Sequence, residues 1–161
     1  MTEIDRIVDE LQRQYDGDPW HGSPLKSILD GITATQAAAK PFPSAHSIWE
    51  LVLHMTAWKG EVRKRLSGAP ASDPEEGDWP APGKQTAESW SEALTRLDAA
   101  HNRLIEAIRQ MPEDRLFEAT NDPRNRPLGT GVSYYVLLHG IVQHDVYHSG
   151  QIAVLKKALR S

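Results

Sequence analysis

Histidine is the residue through which this chain has most scope for chemistry. Seven occur, at positions 21, 46, 54, 101, 139, 144 and 148, and there is no cysteine. His144 and His148 are four apart, so on a helix they project about 40° from one another on successive turns and can approach one ion together. With Tyr134 at zero on a helical projection, the apolar residues Leu137, Leu138, Ile141, Ile152, Leu155 and Leu159 centre near ~340°, with His148 near ~320° and His144 near ~280°. Both therefore lie in the arc a helix would bury. His139 falls near ~140°, on the opposite face, and is expected at the periphery.

A third ligand has to come from another element. His54 lies beside Leu51 and Trp58, on the flank of an apolar stripe, and is the best candidate. His101, among Leu97, Leu104 and Ile105, is a second possibility or a fourth ligand, while His21 and His46 lie in breaker-rich stretches at helix entrances. Three imidazoles from two helices would hold a divalent ion, Zn or Ni first, and leave a coordination position open to water or substrate. Around them, Glu50 stands one turn before His54 as a candidate proton acceptor, and Tyr147 and Gln151 flank the histidine pair as candidates to orient substrate or water. Asp145 projects near ~20°, toward the apolar side of its helix, which suits a carboxylate accepting a proton from a ligand imidazole on another helix or capping a buried polar group, and the spacing is also compatible with a surface ion pair. Glu50 reads equally well as a helix-capping residue and Tyr147 as packing. Trp20, Trp49 and Trp79 are candidates to line a pocket mouth or a dimer face.

The elements that must position these residues are helices. Apolar residues recur at helical spacing in four long segments: Thr2 to about Tyr15, Ser44–Ser47 to about Ser67, Thr86 to Gln110, and Val132 to Leu159. Ser23 with Pro24, and Thr33 with Gln36, predict two short helical turns between the first pair. Ser47 and Glu50 have capping-box spacing at the start of the second long helix. The connection over residues 68–85 is rich in Pro, Gly and acid, long enough to cross an end of a bundle, and the segment Thr120 to Gly131 is again full of breakers. Four amphipathic helices bury their apolar faces most simply as a four-helix bundle, here a single domain over residues 1–161.

Composition narrows the chemistry. At 161 residues the chain can bury a core without staples, so a metal would serve chemistry more readily than folding. The absence of cysteine excludes disulfides, thiolate metal sites and a cysteine nucleophile, so any sulfur chemistry needs a thiol from outside. With 18 basic and 22 acidic residues, net −4, no basic run suggests a nucleic-acid or anionic-membrane surface. The charged start MTEIDRIVDELQRQ lacks an apolar signal core, and a cytoplasmic protein is expected.

The segment HGIVQHDVYHSGQIAVLKKAL, with SIWELVLHMTAW, WHGSPL and PFPSAHSIWELVLH upstream, resembles the DinB/YfiT-like superfamily over essentially the whole chain. The H-x-x-x-H-x-x-Q core with an upstream helical histidine is a more specific signature than a bare histidine pair. The resemblance implies a four-helix bundle of crossing connectivity and a divalent metal near one end of its core, held by His54, His144 and His148. It also implies a homodimer acting on a small molecule. Several members of that superfamily are thiol S-transferases using low-molecular-weight thiols, and others are called hydrolases or isomerases, so three readings follow. The first is transfer of an external thiol to an electrophile. Metal-dependent hydrolysis by an activated water and a non-catalytic metal- or ligand-binding stress protein are the alternatives.

Overall fold

The computed structural model describes residues 1–123 and 133–160. The breaker-rich stretch over residues 124–131 and the expected helix start at Val132 lie outside them. Among the described residues the chain is helical: α1 (Glu3–Asp16), α2 (Leu25–Leu29), α3 (Ala34–Ala38), α4 (Ile48–Leu66), α5 (Ala87–Arg109) and α6 (Tyr134–Ala158), with a 3-10 turn at Glu113–Phe117. Five of the described helix starts carry side-chain caps, those at Thr33 and Ser47 as the sequence signals and those at Thr2, Thr86 and Ser133 besides. Thr2 with Asp5, Thr33 with Gln36 and Ser47 with Glu50 form reciprocal capping boxes, and Thr86 accepts from the Ser89 amide. Ser23 does not cap α2. Pro24 has extended ψ (158°) and is itself the N-cap, so the helix starts one residue later and the serine hydroxyl is too early to reach an orphan amide.

Two apolar clusters set the directions of the long helices. One gathers the end of α1 (Tyr15), the first halves of α4 and α5 (Ile48–Met55, Trp90–Leu97) and the last turns of α6 (Ile152, Leu155). The other gathers the opposite ends, with Ile4, Ile7, Val62, Leu66, Leu104, Ile108, Leu138 and Ile141. Hence α4 and α5 run parallel to each other and antiparallel to α1 and α6. Each of α4 and α1 packs against both α5 and α6, which makes α1 and α4 diagonal partners and α5 and α6 the other diagonal pair.

This arrangement explains the connections. The chain crosses one diagonal between α1 and α4, through α2 and α3. The connection over residues 68–85, long enough to cross a bundle end, is used for a different path: α4 and α5 are parallel neighbours, so the chain between them must return the length of α4, about 28 Å. It does so along the flank of the bundle. Arg65 donates to the Ser72 carbonyl, Ala71 N–H donates to the Asn121 carbonyl at 2.8 Å, and Asp78 and Trp79 come to rest against α4.

Between the two apolar clusters lies a polar layer with one residue from each long helix: Gln14, Lys59, His101 and Asp145, all buried. Lys59 donates to Asp145 Oδ2, and Gln14 Nε2 donates to the same oxygen at 2.8 Å. His101 is stacked on Tyr15, ring centroids 3.8 Å apart, and the Tyr15 hydroxyl donates to Asp98 at 2.5 Å. Lys59 and Asp145 have no exposed side-chain surface, so each charge depends on the other. Lys59→Met is accordingly expected to lower unfolding free energy by about 3–5 kcal/mol in urea titrations. Lys59→Met/Asp145→Asn, which leaves no buried charge unpaired, is expected to be more stable than Lys59→Met alone.

Candidate metal centre

The ligand triad follows from the helix directions. α4 and α6 are antiparallel neighbours, so His54, early in α4, faces His144 and His148, past the middle of α6. His54 Nε2 lies 2.9 Å from His144 Nε2 and 3.1 Å from His148 Nε2. Ligand nitrogens about 2.05 Å from a tetrahedral ion are separated by about 3.3 Å, so the three atoms converge to nearly the spacing a metal imposes. Among the described residues, these three form the group able to hold a metal ion.

The outer nitrogens decide what the inner ones present. His54 Nδ1 lies 2.6 Å from the Asp78 carbonyl oxygen, which only accepts, so Nδ1 carries the proton and Nε2 offers a lone pair. His148 Nδ1–H donates to Gln151 Oε1 at 2.8 Å, with the same result. His144 Nδ1 faces Asp145 Oδ1 at 3.8 Å, beyond hydrogen-bond distance, and has no other partner among the described residues. Two ring lone pairs aimed at one point, with His144 Nε2 2.9 Å from His54 Nε2, repel unless a cation or proton sits among them. The donor set, the tautomers and the spacing all fit a divalent ion.

Packing holds the triad rigid. The Trp79 ring is sandwiched between His54 (3.8 Å, 7° between planes) and His46 (3.5 Å, 4°). Trp58 donates from its indole to Asp78 Oδ1 at 2.7 Å, fixing the residue whose carbonyl holds His54. Burial pushes the His54 imidazole below its usual pKa and the His148 imidazole down to about 4, so both stay neutral and available as ligands. For Asp145, burial is the largest single influence and raises the pKa, but the charge and hydrogen bonding of Lys59 and His144 together outweigh it, and the carboxyl lies below its ordinary range.

The other candidates divide clearly. Glu50 is held at the helix start: one oxygen accepts from Ser47 N–H at 2.7 Å and the carboxylate pairs with Lys40, so the capping role is the one its geometry supports. Gln151 touches His148 directly. Tyr147 is largely exposed, its ring edge-on to His148 at 5.1 Å, on the rim of the adjoining cavity. Asp145 adjoins a ligand of its own helix, His144, where the sequence suggested one on another helix. His101 is stacked on Tyr15 away from the triad. His139 sits at the surface near Glu3 and Glu10, as its helical face implies. His21 borders a groove at the end of α6, and His46 contributes through Trp79. Of the tryptophans, Trp20 is fully exposed and Trp49 is core, tilted against Trp90. Sequence reasoning missed Asp78, Lys59 and Gln14. Lys59 and Gln14 were findable, since each falls in register with its helix's apolar stripe, whereas Asp78 lies in a connection without periodicity.

Beside His148 opens a cavity of about 670 Å³. Phe42, Leu51, Trp79, Val154 and Leu155 give it apolar walls, with His46, Ser44 and Gln151 as polar points, and no Asp, Glu, Lys or Arg lines it among the described residues.

A helical bundle with a convergent three-histidine centre defines the class of protein. The chain belongs to the DinB superfamily, whose family model matches residues 20–152. Its fold is shared with a conserved protein of Enterococcus faecalis, known from a crystal structure. The two superpose with a TM-score of 0.70 over 99% of this chain and 98% of that one, at 18% sequence identity. Among curated proteins, none matches this chain in sequence. No helix among the described residues is long and apolar enough to cross a membrane.

Neutral buried histidines make stability depend on pH. In the unfolded chain these imidazoles take up protons around 6.5, whereas folding holds His148 near 4 and His101 near 3. Between those values the unfolded state binds more protons, so stability is fully present above about pH 6.5 and declines as pH falls toward 4. Urea midpoints of the metal-free protein across that range should show the decline, and His101→Phe should flatten its slope.

Proposed function

We propose that this protein is a divalent-metal-dependent transferase that joins an external low-molecular-weight thiol to an uncharged, apolar electrophile. The observation that carries the reading is the convergence of three Nε2 atoms at the edge of a cavity whose walls are apolar and without formal charge. His54, His144 and His148 would hold the divalent ion, which would supply Lewis acidity that lowers the pKa of an external thiol; the thiol would lose its proton to solvent, and its sulfur would form a bond to the electrophile's carbon as the carbon–leaving-group bond breaks and the leaving group departs as an anion. Because the chain contains no cysteine, the sulfur has to arrive on a cosubstrate.

The remaining work falls to the chain's own side chains. Phe42, Trp79 and Val154 form a surface that favours an apolar electrophile and keeps water from it. Gln151 holds the His148 ring, and Tyr147 stands at the rim where its hydroxyl can meet a polar substituent. A thiol and a water would each shed one proton on binding the ion, and the nearby carboxylates are partly engaged: Glu50 with the helix cap and Lys40, one oxygen of Asp78 with Trp58, one oxygen of Asp145 with Lys59 and Gln14. What supports thiol transfer over hydrolysis is the apolar wall of the cavity, which suits a thiol and an apolar electrophile better than attack by water.

Zinc-loaded protein mixed with a thiol and a neutral aromatic alkyl halide is expected to release halide faster than the uncatalysed pair. Chelation and His148→Ala should each return the rate to background. Release that proceeds equally without thiol would favour hydrolysis, and no release by fully loaded protein would favour a binding role.

A further inference from the structure

Lys59 lies five residues beyond His54 on the same helix, wholly buried, with its ammonium on Asp145 Oδ2. Gln14 Nε2 donates to that same oxygen. The other oxygen, Oδ1, has no hydrogen-bond partner among the described residues, and neither has His144 Nδ1, which lies 3.8 Å from it. At 3.8 Å the two are beyond hydrogen-bond distance, but a buried donor and a buried acceptor that face one another without other partners are placed to pair when either side chain shifts by less than an ångström. Lysine can only donate, so as long as Lys59 is present it claims an acceptor from whatever residue stands at 145.

We propose that Lys59 is a positioning residue for the metal centre: by occupying one oxygen of Asp145 it aims the other at His144 Nδ1, fixing the proton there and the lone pair on Nε2. His54 and His148 obtain the same tautomer from a backbone carbonyl and from Gln151. His144 obtains it from a carboxylate whose orientation is imposed from α4 and α1. The inference rests on the metal-binding reading of the triad, and it extends the site to a residue that touches no ligand.

Asp145→Asn has a particular consequence in this arrangement. Lys59 and Gln14 would claim the amide oxygen, turning the NH₂ toward His144 Nδ1. That nitrogen would then have to accept, and its proton would move to Nε2, where it opposes a cation. Replacing Lys59 as well, in Lys59→Met/Asp145→Asn, frees the amide to rotate. Its oxygen can then receive Nδ1–H while Gln14, whose Oε1 has no partner, flips to accept the NH₂.

The test is Zn²⁺ affinity by competition with a chromophoric chelator, on folded protein verified by circular dichroism. Asp145→Asn is expected to bind about 10- to 100-fold more weakly than the natural chain. The double variant is expected to recover at least about tenfold of that loss, a gain that lost packing or lost charge does not produce. A double variant as weak as Asp145→Asn, or an Asp145→Asn variant as tight as the natural chain, would overturn the proposal. If Asp145→Asn does not fold, ¹⁵N spectra of the natural, metal-free protein decide instead: His144 protonated at Nδ1 supports the proposal and at Nε2 overturns it. Absence of Zn²⁺ binding by the natural chain would overturn the metal reading itself, an outcome distinct from these.

Discussion

A buried carboxylate at the meeting point of four helices is the constraint on which the rest of this structure turns. Asp145 lies where the apolar core divides in two, and an ionised group there is tolerable only if donors reach it from several sides. Lys59 of α4 and Gln14 of α1 supply two of them, and His144 adjoins from its own helix. Satisfying that charge fixes the relative height of α1, α4 and α6. The same register brings His54 level with His144 and His148. The polar layer and the metal centre are thus two sides of one arrangement, one facing the bundle axis and the other the cavity.

The parallel course of α4 and α5 is the second organising fact. It obliges the intervening chain to travel back along the bundle, and that return path delivers Asp78 and Trp79 to His54. A tight antiparallel hairpin between these helices would leave His54 without its carbonyl acceptor and the cavity without its aromatic wall. The acidic, proline-rich composition of this connection suits an extended surface strap. Its value lies in where two of its residues stop.

Much of this was legible in the sequence because helices announce themselves by period and by caps. The four long helices, the capping boxes at Thr33 and Ser47, and the buried placement of His148 all followed from spacing, while His144, expected in the buried arc, is half-buried. His54 was identifiable as a ligand because it flanked a stripe that had to face another helix. The connectivity was less accessible. Nothing local distinguishes a connection that crosses an end from one that returns along the side, since both need length and breakers. Ser23 failed as a cap because the helix start shifted by one residue around Pro24, below the resolution of pattern reading. Lys59 and Gln14 were visible as polar residues in apolar registers, at i+4 from Met55 and i+3 from Leu11, but their meaning required knowing that Asp145 stood opposite. Cross-helix pairing is a tertiary property and periodicity carries no information about it.

The chemistry proposed for the site depends on one claim above all, that three imidazole nitrogens bind a single divalent ion. X-ray absorption spectroscopy of protein loaded with one equivalent of Zn²⁺ tests it most directly. The expected spectrum has three imidazole scatterers at about 2.0–2.1 Å and a lighter remaining coordination. A spectrum fitted by one imidazole or none, or dominated by carboxylate oxygen, would contradict the assignment of His54, His144 and His148 as the metal centre.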